Sequence, residues 1–81
     1  HTLKQLQDGE LKDATSVKIS DNLKTFPREL FELVDTLEFL DLSHNHLSLL
    51  PDDFYRFKKL KIAFFSFNDF TVMPKVFKKC S

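Results

Sequence analysis

The chain is poor in the residues from which many functional sites are built. One glycine in 81 residues leaves no material for a phosphate-cradling glycine loop. One cysteine excludes an internal disulfide framework and fits a reducing compartment. There is no tryptophan and a single tyrosine. The apolar runs are short, so neither a signal-peptide core nor a membrane-spanning helix is expected. Neither sign of charge is in excess: twelve basic and twelve acidic residues give a formal net charge of zero. Such a balance provides no overall attraction to nucleic acid or anionic lipid. The length allows one domain at most, burying roughly 60–65% of the unfolded surface, so stability should be marginal.

What is abundant is leucine and phenylalanine, and they recur with a period. Leu37-Glu38-Phe39-Leu40-Asp41-Leu42-Ser43-His44-Asn45-His46-Leu47 aligns with Leu60-Lys61-Ile62-Ala63-Phe64-Phe65-Ser66-Phe67-Asn68-Asp69-Phe70 at an offset of 23 residues. The same offset carries Leu50-Pro51 onto Met73-Pro74, Phe54 onto Phe77 and Phe57 onto Cys80. Stepping back by 23 reaches Ala14, Val17, Ile19 and Asn22, after which one residue is missing, since Leu23 follows Asn22 directly. An extra residue between Leu33 and Leu37 restores the register.

These copies resemble the leucine-rich repeat, L-x-x-L-x-L-x-x-N-x-L-x-x-L-P, over residues 14–81. The opening His1-Thr2-Leu3, with Phe26-Pro27-Arg28-Glu29 and Leu50-Pro51-Asp52-Asp53, further resembles the N-terminal repeat region of bacterial leucine-rich-repeat protein kinases. The resemblance implies an α/β solenoid fragment, with short parallel strands on a concave face and helical or 3-10 turns on the convex face. It divides the chain into an N-terminal helical cap (residues 1–13), repeat 1 (14–36), repeat 2 (37–59) and an incomplete repeat 3 (60–81).

The physics of the repeat stands beside that resemblance. Leu40, Leu42 and Leu47 alternate along a short strand and the turn after it, and should point into the core. Asn22, Asn45 and Asn68 are placed to satisfy backbone groups as a buried structural ladder. Pro27, Pro51 and Pro74 fix φ where the chain turns to the convex side. There Leu30 and Leu33, Phe54 and Phe57, and Phe77 and Cys80 recur at i, i+3, the spacing of one helical or 3-10 turn. Asp52 or Asp53 is placed to cap the second of these turns. Ahead of the repeats, Thr2 and Gln5 have capping-box spacing, Leu3 and Leu6 share a face, and Gly9 stands where a helix would end. The last residues, Cys80-Ser81, fall inside the third repeat, which reads as part of a longer array or as an open end for self-association. Cys80 sits at a core position, or becomes an exposed thiol if nothing stacks beyond it.

No catalytic, metal or cofactor motif is present. His44-Asn45-His46 spells the initials of a nuclease motif, but its middle residue is the repeat's asparagine. His44 and His46 lack a third nearby ligand, so no metal is assigned. A protein kinase needs a phosphate loop, a strand lysine, a catalytic aspartate and metal ligands, none of which is here. No catalytic residue and no cofactor are assigned, and any kinase domain would lie beyond Ser81.

A partner is expected on the concave strands, where positions 23 apart become neighbours. Four rows result: Ser16, Phe39, Ile62; Lys18, Asp41, Phe64; Ser20, Ser43, Ser66; and Asp21, His44, Phe67. The candidate partner-binding residues are Phe39, Asp41, His44, Ile62, Phe64, Phe67 and Lys18, with Lys18 and Asp41 expected to form a lateral ion pair. Large apolar groups on a wettable face often mark a binding site. The zero net charge also resolves into −6 through Tyr55 and +6 from Arg56 onward. The expectation is therefore a cytoplasmic bacterial protein–protein interaction module, without nucleic acid or membrane partners. The alternative is a regulatory or targeting segment of a larger kinase.

Overall fold

The computed structural model describes residues 1–70. Helix α1 spans Leu3–Gln7 and starts at a complete capping box. The Gln5 N–H donates to the Thr2 hydroxyl at 3.2 Å, and the Thr2 N–H donates to the Gln5 side-chain oxygen at 2.9 Å. Leu6 is buried and Leu3 packs against the core, which gives this one-turn helix its tertiary hold. Gly9 follows at φ +78°, the left-handed conformation that needs no Cβ.

Three short strands come next in chain order, β1 (Ser16–Lys18), β2 (Phe39–Asp41) and β3 (Ile62–Phe64). They form one parallel sheet in the order β1-β2-β3, with Ser16 opposite Phe39 and Phe39 opposite Ile62. The register is thus the 23-residue sequence offset made spatial. Central residues Val17 and Leu40 are fully buried while their neighbours are wholly or partly open, the period-2 pattern of a one-sided strand. Two 3-10 helices, Arg28–Leu33 and Phe54–Arg56, occupy the crossovers. In each crossover a proline carbonyl accepts from the N–H three residues on, Pro27 from Leu30 and Pro51 from Phe54. This is an α/β repeat architecture with short parallel strands.

The core is a leucine stack backed by phenylalanine. Ile19, Leu30, Leu37, Leu40, Leu42 and Leu47 are completely buried, each contributing about 1.5–3 kcal/mol. Phe26 meets Phe54 edge-on at 5.8 Å, and Phe54 meets Phe57 at 5.3 Å and Phe65 at 5.9 Å. Leu60, Phe65 and Phe70 join the column as partly buried members. The expected convex positions Pro74, Phe77 and Cys80 lie outside the described residues.

Asn45 sits at the hinge of this stack. Its side-chain oxygen accepts from the N–H groups of Asp21 and Leu23, both at 3.0 Å. Its amide donates to the carbonyls of Ile19 and Leu42, at 2.9 and 2.8 Å. One side chain therefore holds two successive turns. Asn68 repeats the arrangement one turn later, accepting from Leu47 and donating to Leu42 and Phe65. Asn22 does not join them. It is exposed, with φ +55°, a conformation taken in the next two turns by His44 and Phe67, the residues just before the asparagine. The residue missing from the first repeat removes the asparagine slot and leaves Asn22 at the left-handed position, which asparagine tolerates better than most.

Asp53 also departs from expectation. It is the N-cap of the second 3-10 helix but makes no side-chain capping bond. Its carboxylate instead takes both guanidinium nitrogens of Arg28, at 3.1 and 3.2 Å, and one of Arg56 at 3.3 Å. The same two guanidinium groups lie over the Phe31 ring, 4.2 and 5.0 Å from its centre. A bidentate, doubly charged partner outcompetes two backbone amides for one carboxylate. The Arg28 hydrogen bond, with Arg56 adding to it and partial burial working the other way, holds the Asp53 carboxyl below its ordinary value. A depressed carboxyl contributes stability above its unfolded value and loses it as pH falls through the folded one, so the loss falls below about pH 4. In thermal melts from pH 7 to pH 3, Asp53→Asn should therefore lose less stability than the parent. Parallel losses in both proteins would remove Asp53 from the acid response.

Candidate functional site

The strand face opposite the core carries the rows read from the sequence, and polarity is graded across it. Ser16 and Lys18 on β1 are exposed, Phe39 and Asp41 on β2 are half-covered, and β3 presents large apolar groups. Ile62 and Phe64 are 49% and 48% exposed, and Phe67 just beyond the strand is 74% exposed. Parallel register places Phe39 beside Ile62 and Asp41 beside Phe64. Across the diagonal, the Phe39 and Phe64 rings meet edge-to-face at 5.8 Å. Each ring shields part of the other while both keep an open side.

His44 and Phe67 make a second ring pair, stacked at 4.5 Å and only 11° from parallel. Both have left-handed backbones, φ +62° and +57°. For a bulky side chain such as Phe67 this conformation costs about 1–3 kcal/mol. The backbone is held there by the repeat, since His44 N–H donates to the Ser66 carbonyl and Asn68 donates to that same carbonyl. The turn thus displays an aromatic ring where the first turn has Asn22.

The expected Lys18–Asp41 pair is not among the ion pairs of the described residues. The two residues are register partners, but Asp41 turns its carboxylate onto the Ser43 N–H at 2.9 Å. A local bond to a fixed amide requires no ordering of a long lysine side chain, and an exposed pair offers little against that. The ion pair across this sheet is instead Lys61–Glu38 at 3.2 Å, at the strand entrances. His46 lies 3.5 Å from Asp69. His44 is committed to its ring stack with Phe67. Among the described residues no three His, Cys, Asp or Glu side chains are grouped to hold a metal, and no helix is long and apolar enough to cross a membrane.

One concavity has no counterpart in the sequence pattern, a groove of about 880 Å³ between α1 and residues 21–32. Leu3, Gln7, Lys24, Phe26 and Arg28 are among its lining residues. It exists because α1 is tethered to the first turn, with Leu3 N–H donating to the Asp21 carboxylate at 3.2 Å. No periodicity in the chain announces that tether.

Comparison with known proteins bears on the middle of this face. Residues 36–57 match the model of the Leucine Rich Repeat family. The matched stretch contains β2, the central strand of the face, together with Asn45 and the second 3-10 helix. Leucine-rich repeats are in general protein-interaction modules. No curated protein and no solved structure matches the chain.

Proposed function

We propose that this chain is a protein-recognition module that binds a partner polypeptide across the concave strand face. The observation that carries the reading is the contiguous apolar set Phe39, Ile62, Phe64 and Phe67, open on a face whose β1 side is polar. Lys18, Asp41 and His44 would border it. Aromatic groups bring large contact area at small entropic cost, which is why they dominate interface energies. In this reading the stacked turns are part of a solenoid, residues 1–13 act as its N-terminal cap, and the segment has no catalysis of its own. The capping box and the buried Leu6 support the cap assignment.

A narrower kinship with the repeat region of bacterial leucine-rich-repeat kinases would make the chain a recognition arm of an enzyme. Its support is the residue strings at His1–Leu3, Phe26–Glu29 and Leu50–Asp53. The single cysteine supports a cytoplasmic location.

The test is a selection from a displayed random-peptide library, followed by binding measurements on Phe39→Ser/Phe64→Ser. The double variant should lose at least about 2 kcal/mol of affinity, roughly thirtyfold, while its far-ultraviolet circular dichroism is unchanged. Unaltered binding would remove the function from the strand face. Unfolding would show that the two rings belong to the core.

A further inference from the structure

The charges around β3 select among partners, and this step rests on the strand-face reading above. Residues 56–70 carry four basic groups, Arg56, Lys58, Lys59 and Lys61, against Asp69 alone. Arg56 is committed to Asp53 and Lys61 to Glu38, while Asp69 lies beyond the other end of β3, 3.5 Å from His46. Lys58 and Lys59 are exposed and have no ion-pair partner among the described residues. They stand in the turn that enters β3, within four residues of Ile62. The most apolar strand of the face is thus flanked at its entrance by two exposed lysines that no ion pair of the described residues engages.

We propose that the partner is an acidic polypeptide segment that lies along β3, seating an apolar side chain against Ile62, Phe64 and Phe67 and its carboxylates against Lys58 and Lys59. A polypeptide fits better than a single-stranded nucleic acid. Base stacking needs ring faces laid open, whereas Phe39 and Phe64 meet edge-to-face and one face of Phe67 is covered by His44. Ile62 offers no ring at all. Two free lysines can pair with two carboxylates, but they make a thin track for a phosphate backbone.

The experiment uses three synthetic peptides with one common pattern of Leu and Phe, carrying Glu, Gln or Lys at the remaining positions, and binding is followed by fluorescence anisotropy. The Glu peptide should bind about tenfold more tightly than the Gln peptide at low salt, with the advantage shrinking as ionic strength rises. Lys58→Glu/Lys59→Glu should abolish that advantage and leave the Gln peptide unaffected. Lys58→Gln/Lys59→Gln should reduce it by half on a logarithmic scale or more. Equal binding of all three peptides, or tightest binding of the Lys peptide, overturns the acidic preference. Phe64→Ser then separates the two levels. If it weakens every peptide while no charge preference exists, the face stands and this inference alone fails. If it weakens none while the Glu peptide still depends on Lys58 and Lys59, the strand face is the wrong site. Single-stranded RNA binding as tightly as the Glu peptide overturns the polypeptide assignment. So does a self-associated form, seen by sedimentation, that the Glu peptide cannot displace.

Discussion

Replacing Asn45 by alanine is expected to destabilise the protein by about 3 kcal/mol, the larger part of what so short a chain can have. The residue is only 3% exposed. Alanine would leave two amide N–H groups, of Asp21 and Leu23, and the carbonyl of Ile19 without their partner, while the Leu42 carbonyl keeps its bond from Asn68. Each buried group left unsatisfied costs about 1–3 kcal/mol before water or backbone shifts relieve it. At roughly 4–8 °C per kcal/mol for a domain of this size, the thermal midpoint should fall by about 12–24 °C in a circular dichroism melt. Asn45→Asp keeps the acceptor atoms but loses the donors and buries a charge, so it should be at least as damaging. Asn22→Ala is the control. That residue is exposed and left-handed, and its loss should cost no more than about 1–2 kcal/mol of backbone preference. Equal effects at the two positions would mean that the ladder does not hold the turns together.

That contrast marks where the sequence was readable and where it was not. The 23-residue period predicted which residues pair, and Ser16, Phe39 and Ile62 are neighbours as expected. Periodicity fixes the register of strands because a slip would turn buried Val17 and Leu40 outward. It also predicts Leu30, Leu33, Phe54 and Phe57 as core residues, and all four are buried. Asn22 falls outside the ladder because the backbone absorbs the missing residue before the asparagine rather than after it. Only the sign of φ distinguishes those alternatives. Asp53 and Asp41 were misassigned for a different reason. Each carboxylate had two plausible partners, and the choice is made by three-dimensional reach: Arg28 comes to Asp53 from 25 positions away in the chain, and Ser43 N–H comes to Asp41 before Lys18 can. Side-chain competition of this kind has no period. The apolar face was legible as alternation, but the edge-to-face and stacked geometries of its rings were not.

Phe54→Ala should cost about 3–5 kcal/mol, comparable to the whole stability of so small a chain, and leave the chain largely unfolded at room temperature. Phe54 is only 2% exposed and belongs to the second turn, yet its ring touches Phe26 of the first and Phe65 of the third. Removing it opens a cavity that neither neighbour can fill, because Phe26 is also held by Phe57 and Phe65 by Phe70. Phe54→Leu separates volume from ring geometry. Leucine is what the first turn already uses at Leu30, which is wholly buried, so the substitution should be tolerated at about 1–2 kcal/mol. With no tryptophan in the chain, urea titration followed by circular dichroism is the suitable measurement. A Phe54→Ala midpoint close to that of Phe54→Leu would mean the aromatic column contributes little, and the leucine layer beneath the strands carries the fold. A wide gap would show that the three turns are coupled through their phenylalanines. The strand face would then depend on the opposite side of the molecule: β3 holds Ile62 and Phe64 open to a partner only while Phe65, the next residue, stays anchored on Phe54.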